Sequence, residues 1–198
     1  MTHYSKRLLV LTIYVTADLH IGHQRILDHC KRPFASVDEM NAELVRRWNE
    51  TLQPGDAVWV LGDFAWYGYE DVFHQLRGEK HLIVGNHDTK RTLKMPWASV
   101  HDYHELSIND GTVKSKVILF HYGIRSWNGM FKGTIHLYGH SHGRLPGYRV
   151  SSGGGTLDVG VDCWDFRPVC LADVHTRLAT LPLYAPESAG LHGLESHD

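Results

Sequence analysis

The sequence predicts an α/β fold of two mixed β-sheets packed face to face with helices outside, and three observations carry that expectation. As far as about Val100, short apolar runs alternate with helical segments, the texture that parallel strand pairing needs. Beyond Val100 the runs are joined by turn signals instead, which favours antiparallel hairpins. Five of the runs also end alike, on Asp, His or Asn, as strands do when their carboxyl ends converge on one site.

Taken in order, Leu8 to Thr16 is β-branched and apolar and reads as a buried strand entering Ala17-Asp18-Leu19-His20-Ile21-Gly22-His23. His23 to Lys31 is a short helical candidate. Ser36-Val37-Asp38-Glu39 has capping-box spacing, and Met40, Leu44 and Trp48 follow at intervals of four. That pattern predicts an amphipathic helix to about Thr51, before Pro54-Gly55 turns the chain. Val58 to Leu61 runs into Gly62-Asp63 and His81 to Val84 into Gly85-Asn86-His87-Asp88, with a second short helical candidate, Glu70 to Arg77, between them. A strand near His101 to Ile108, a turn at Asn109-Asp110-Gly111 and a strand from Thr112 to His121 predict a hairpin. Ile135 to Tyr138 leads into Gly139-His140-Ser141-His142, the Gly- and Ser-rich stretch Gly143 to Gly155 reads as a mobile loop, and Leu157 to Val161 and Pro168 to His175 read as two last strands. One domain is expected over residues 1–182, with 183–198, which lacks periodicity, as a disordered tail.

Composition narrows the function. Lys and Arg number 20 against 22 Asp and Glu, a net charge of -2, so no global positive field draws in nucleic acid and extended nucleic-acid binding is not indicated. The three cysteines, Cys30, Cys163 and Cys170, show no CxxC spacing, which argues against a disulfide framework and a thiolate zinc site and points to the cytoplasm. Lys6 and Arg7 before Leu8 to Val15, with Val15-Thr16-Ala17 after, resemble a signal peptide, but cleavage there would remove the strand that should hold Asp18. No run approaches the roughly 20 apolar residues that span a bilayer. Sixteen histidines are the unusual figure, because imidazole is both the commonest metal ligand and the usual acid or base near neutral pH.

The five strand ends together offer Asp18, His20, Asp63, Asn86, His87, Asp88, His121, His140 and His142. Carboxylate, amide and imidazole donors suit Mn, Fe, Zn, Ni or Mg rather than thiophilic ions, and there are more of them than one ion can use. Two ions roughly 4 Å apart need a bridging carboxylate, for which Asp63 is the natural choice. Asp18 with His20, and His140 with His142, stand at i and i+2, so each pair points the same way from extended chain.

In this order and with these spacings, Asp18-Leu19-His20, Gly62-Asp63, Gly85-Asn86-His87-Asp88, His121 and Gly139-His140-Ser141-His142 resemble the motifs of the calcineurin-like metallophosphoesterases. The resemblance covers residues 13 to 171 and includes Val159-Gly160-Val161-Asp162 and Pro168-Val169. It is greatest to small stand-alone bacterial or phage-type phosphoesterases, which share Asp18 to His23 and Arg32-Pro33-Phe34. It implies a four-layer α/β/β/α sandwich holding two divalent ions, one on Asp18, His20, Asp63 and His142, the other on Asp63, Asn86, His121 and His140. It also implies that His87, oriented by Asp88, sits beside the leaving group. Gly62-Asp63 is followed by Phe64-Ala65-Trp66-Tyr67-Gly68 rather than Asp-Arg-Gly, which sets the chain apart from the protein serine/threonine phosphatases. The reaction expected is hydrolysis of small or nucleotide-type phosphoesters, diesters before monoesters, by a metal-bridging hydroxide. The alternatives are a monoesterase or nuclease with the same site, or a protein-binding module on this fold. His23 and Arg32 are candidate phosphate contacts, beside the plainer readings of a helix-start histidine and a surface arginine. Trp66, Tyr67 and Tyr69 fit either a ring pocket or the core.

Overall fold

The computed structural model describes residues 12–109 and 114–185. Its strands are β1 Ile13–Thr16, β2 Ala57–Val60, β3 Glu79–Ile83, β4 Ser99–His101, β5 Tyr103–Asn109, β6 Lys114–Phe120, β7 Ile135–Tyr138, β8 Tyr148–Arg149, β9 Gly155–Asp158 and β10 Val169–Cys170. Its helices are α1 Ile26–Cys30, α2 Val37–Thr51 and α3 Leu171–Thr180. The strands form two five-stranded mixed sheets, in the orders β10-β1-β2-β3-β4 and β5-β6-β7-β9-β8. In the first, β1 to β4 run parallel and β10 is antiparallel to β1. In the second, β6, β7 and β9 are parallel, with antiparallel β5 and β8 on the edges. The chain crosses from one sheet to the other at Asp102, so the expected strand His101–Ile108 is two strands that belong to different sheets.

Period-2 alternation explains why the sheets stack. Val15, Trp59, Leu61 and Ile83 face inward from the first sheet and meet Val117, Leu119, Ile135, Leu137 and Leu157 from the second. The opposite sides of β2 and β3, with Val58, Val60 and Leu82, pack on α2 through Met40, Leu44 and Trp48. Helix α2 begins where its cap predicts: Ser36 Oγ accepts from Glu39 N–H, and Glu39 returns a bond to Ala35 N–H. The outer side of the second sheet is covered around Ile118 by Trp127, Met130 and Val150. An isolated bridge, Ala17 to Gly160, ties the sheets together at the carboxyl ends of β1 and β9.

Several expectations need correction. Pro168 to His175 is a strand only at Val169–Cys170, after which α3 begins. Leu171, Val174 and Leu178 stand at helical spacing and bury into the space between the sheets, a gain that outweighs the β-branched texture read from sequence. Gly143 to Gly155 is not all loop, because Tyr148–Arg149 forms β8 against β9 and Val150 is buried. Glu70–Gln75 is a 3-10 helix and α1 has only five residues, so both short helical candidates are real but smaller than expected. Leu183 and Tyr184 still pair with Arg149, which carries the ordered chain past Pro182. The start of the first expected strand, the turn at Asp110-Gly111 and the tail from Pro186 lie outside the described residues.

Candidate metal centre

The parallel strands deliver their carboxyl ends to one edge of the sandwich. Two of these ends zip together there: Asp18 N–H donates to Gly62 O, His20 N–H to Asp63 O and Ile21 N–H to Phe64 O. Asp18, His20, Asp63, His140 and His142 all adopt positive φ, between 48° and 64°. Non-glycine residues rarely hold that left-handed conformation, and its concentration on five expected ligands means that the surrounding structure enforces it. The neighbouring glycines allow the loops to close on each other. A Cβ on Gly139 would lie 2.5 Å from Ala17 Cβ and 2.7 Å from Asp18 Oδ2, and one on Gly62 would lie 2.4 Å from His121 Nδ1.

Ligand atoms of Asp18, His20 and His142 lie within 4.8 Å of one another, and so do those of Asp63, His121 and His140. A single oxygen joins the groups, since Asp63 Oδ2 is 3.5 Å from His20 Nε2 and 3.6 Å from His121 Nε2. His121 donates its Nδ1–H to Leu61 O at 2.7 Å, so its Nε2 carries a lone pair, which faces Asn86 Oδ1 at 2.9 Å. Two acceptors face to face are an arrangement that a cation resolves. Asp18 Oδ1 and His20 Nε2 are buried without any hydrogen-bond partner, the costly condition that a metal removes.

The electrostatics agree. Burial pushes the Asp18 carboxyl well above the usual carboxylate range. Burial, and then the neighbouring cations, bring His20 down to about 2, and burial also lowers His121, so both rings present lone pairs. At His142 burial again lowers the ring, but hydrogen bonds to Asp162 and Cys30 and the charges of Asp18 and Asp162 outweigh it and hold the ring up to about 10. That corner therefore stabilises positive charge, whether it arrives as a proton or as an ion. The donor set and the unpartnered atoms together fit divalent metal.

Behind the ligands lies a set of contacts that sequence reasoning missed. Asp162 Oδ2 accepts from His142 Nδ1 at 2.7 Å, leaving Nε2 for the site, and receives Arg32 through both its carboxylate oxygens at 2.8 Å. Arg32 also donates to Leu19 O and Asp18 O. It is buried, so it is neither the phosphate contact nor the surface arginine expected but a brace for the first motif. Asp88 is likewise corrected. Its carboxylate accepts from the backbone of Asp63, Phe64 and Gly85 and so fixes the second and third motifs instead of orienting His87. Asp158 does the same for the last loop, accepting from Gly143 N, Gly160 N and Ser141 Oγ.

Asn86, His87 and His140 are exposed, which leaves the cluster open on one side. His87 stands 5.4 Å from the ring of His20. His23 lies at the rim, stacked on Trp66 with centroids 4.1 Å apart and planes 7° from parallel. Tyr122 flanks the other side, 4.8 Å from His140. Cys30, His142 and Asp162 also lie close together, but Arg32 already neutralises that carboxylate. A cavity of about 560 Å³ lined by Ser115, Lys116, Lys132, Thr134 and His175 lies near the starts of β6 and β7, away from the expected ligands.

A model of the family described as calcineurin-like phosphoesterase matches residues 11–158. The chain is 30% identical over 166 residues to an uncharacterized protein, MJ1445, of Methanocaldococcus jannaschii, covering 80% of this chain and 86% of the other. It is 28% identical over 181 residues to the gene 66 protein of Mycobacterium phage D29, covering 77% and 88%. Among solved structures, the protein of unknown function AQ665 from Aquifex aeolicus has the same fold, with a TM-score of 0.64 at 18% identity over 84% of this chain and 99% of that one.

Proposed function

The chain belongs to the calcineurin-like phosphoesterase family, and from that premise we propose that it hydrolyses phosphoesters at a centre of two divalent metal ions, diesters in preference to monoesters. The observation that carries the reading is Asp63 Oδ2, which faces His20 in one ligand group and His121 in the other. Asp18, His20, Asp63 and His142 would hold the first ion and Asp63, Asn86, His121 and His140 the second. When bound, such ions supply positive charge against phosphate oxygens and make water acidic enough to act as a nucleophile near neutral pH.

The protein's own groups supply the rest. His87 stands exposed beside the cluster and can give a proton to the departing alkoxide. Asp88 and Asp158 hold the loops by accepting backbone N–H bonds, so the ligands are set before substrate arrives. Arg32, the arginine at the first motif, is committed to Asp162 and two carbonyls, which leaves it unavailable to a phosphate dianion and favours a monoanionic diester. No helix among the described residues is long and apolar enough to cross a membrane.

The test joins metal content to turnover. Elemental analysis should find two ions per chain after loading with Mn, Ni or Zn, and chelation should abolish hydrolysis of an aryl diester until metal is restored. Asp63→Ala should lose both ions together. A chelated protein at full rate, or an Asp63→Ala variant that keeps two ions, overturns the reading. Matched kcat/KM values for an aryl diester and monoester decide the preference, which a faster monoester would reverse.

A further inference from the structure

We propose that Trp66 forms a ring-binding subsite beside the metal ligands and takes the base of a nucleoside leaving group, whose alkoxide then lies at His87. The inference rests on the phosphodiesterase reading above and adds the chemical class of the departing alcohol.

Three exposed aromatic residues follow Asp63 in the chain, and their surroundings separate their roles. Tyr69 lies across Gly22, and Tyr67 lies beneath Arg91, 6.0 Å from its guanidinium. Of the three, Trp66 is the one whose ring lies against His23 and His87 at the open side of the cluster. Its backbone is fixed by Trp66 N–H donating to Ile21 O at 2.7 Å, next to the bridge between Ile21 and Ala65. His23 covers one face of the indole, and 40% of the residue remains exposed. The open part of the indole lies at the mouth of the cluster, with the ring of His87 5.7 Å away, so a flat ring seated on it would stand beside the metal-binding loops. Purine and pyrimidine bases are the flat rings that biological phosphodiesters carry, and stacking accepts any base because each has a π-face.

The placement of His87 gives the subsite its direction. Its ring lies 5.7 Å from Trp66 and 5.4 Å from His20. A proton donor between the stacking ring and the metal ligands addresses the oxygen that links the stacked group to phosphorus. In the step so defined, water adds its oxygen to phosphorus and releases a proton to solvent. The bond from phosphorus to the nucleoside oxygen breaks, and His87 donates a proton to that oxygen. A nucleoside leaves, and the phosphate monoester of the other alcohol remains.

The experiment compares adenosine 5′-methyl phosphate with ribose 5-methyl phosphate, which share a leaving alkoxide and differ in the base. The metal-loaded protein should favour the adenosine ester and release adenosine and methyl phosphate. Trp66→Ala should lower the ratio of the two kcat/KM values by about 5- to 150-fold, the usual worth of one stacked base, and Trp66→Phe should restore most of it. Equilibrium binding of adenosine to the metal-loaded protein, read by isothermal titration calorimetry, should weaken in Trp66→Ala by a similar factor. An unchanged ratio, release of methanol and adenosine monophosphate, or adenosine binding indifferent to Trp66 overturns the proposal. If neither ester is hydrolysed while an aryl diester is, the proposal falls; if the aryl diester is inert too, the phosphodiesterase reading fails, and the adenosine titration still decides whether Trp66 is a base subsite.

Discussion

Asp162 stands between Arg32, whose guanidinium binds both its carboxylate oxygens, and His142, whose Nδ1 it holds so that Nε2 faces the cluster. Burial raises its carboxyl, but the hydrogen bonds from His142 and Arg32 outweigh burial and hold it below the usual carboxylate range. Asp162→Asn should therefore keep the fold while weakening metal binding on the His142 side of the cluster by about 10- to 100-fold, read by competition with a chelator. Unaltered affinity would make Asp162 a partner of Arg32 alone. His87 and Asp88 should separate in the same way. His87→Ala should keep its metal and lose on the order of 10² to 10⁴ in kcat with an alkoxide leaving group, but far less with nitrophenolate. Asp88→Asn leaves one oxygen to serve the three backbone donors, so it should cost metal and lower the rate evenly across leaving groups. A leaving-group series on both variants, with metal assays, reads the difference, and a graded loss in Asp88→Asn would restore its link to His87. The residues that the fold gathers into the cluster were legible because each lies in a short motif just past a strand end. The pairing of Arg32 with Asp162 was not, since it spans 130 residues and no local spacing announces it.

At the scale of elements, the strand ends matter more than the strands. Gly139 lies where β7 meets β1, against Ala17 and Asp18, and Asp18 Oδ2 there accepts from His140 N at 2.7 Å. Gly139→Ala places a methyl group into atoms that have nowhere to go, and should cost about 1 to 3 kcal/mol in unfolding free energy as well as metal affinity. Urea titration with and without chelator checks both; a variant as stable as the parent and fully loaded would mean that the two sheets can part here. Helix α2 was legible to the residue because cap, period and stop agree: Ser36 begins it, Met40, Leu44 and Trp48 bury one face, and the chain turns at Pro54-Gly55. Helix α3 was not. Val169-Cys170-Leu171 reads as strand, and the helical spacing of Leu171, Val174 and Leu178 is short enough to pass for a continuation of it. Only the open side of the space between the sheets, which no local pattern describes, makes the helix the better way to bury those residues.

For the molecule as a whole, the histidines that the fold buries set its response to acid. His136 is the clearest, since it is fully buried in β7 and its ring faces none of the expected metal ligands directly. Its Nδ1 lies 3.4 Å from Ile118 O, and its Nε2 lies 3.3 Å from Ile124 N and 3.2 Å from Tyr122 O, so a neutral ring donates to one of the two carbonyls while accepting from or facing the rest. Burial is the main reason that its pKa falls from 6.5 to about 4, with the carbonyls of Ile118 and Tyr122 opposing it weakly. Because the folded value lies below the unfolded one, the unfolded chain binds the proton more readily. The contribution of His136 is thus complete above pH 6.5 and is lost as pH falls to about 4. Over that window it amounts to about 3 kcal/mol, at roughly 1.4 kcal/mol for each pH unit. His136→Gln keeps a donor and an acceptor but cannot titrate. In urea unfolding of chelated protein, the stability of the parent relative to this variant should therefore fall by about that amount between pH 7 and pH 4. Curves that stay parallel across the range would show that His136 carries the same charge folded and unfolded, and would shift the acid response to the rings of the metal centre.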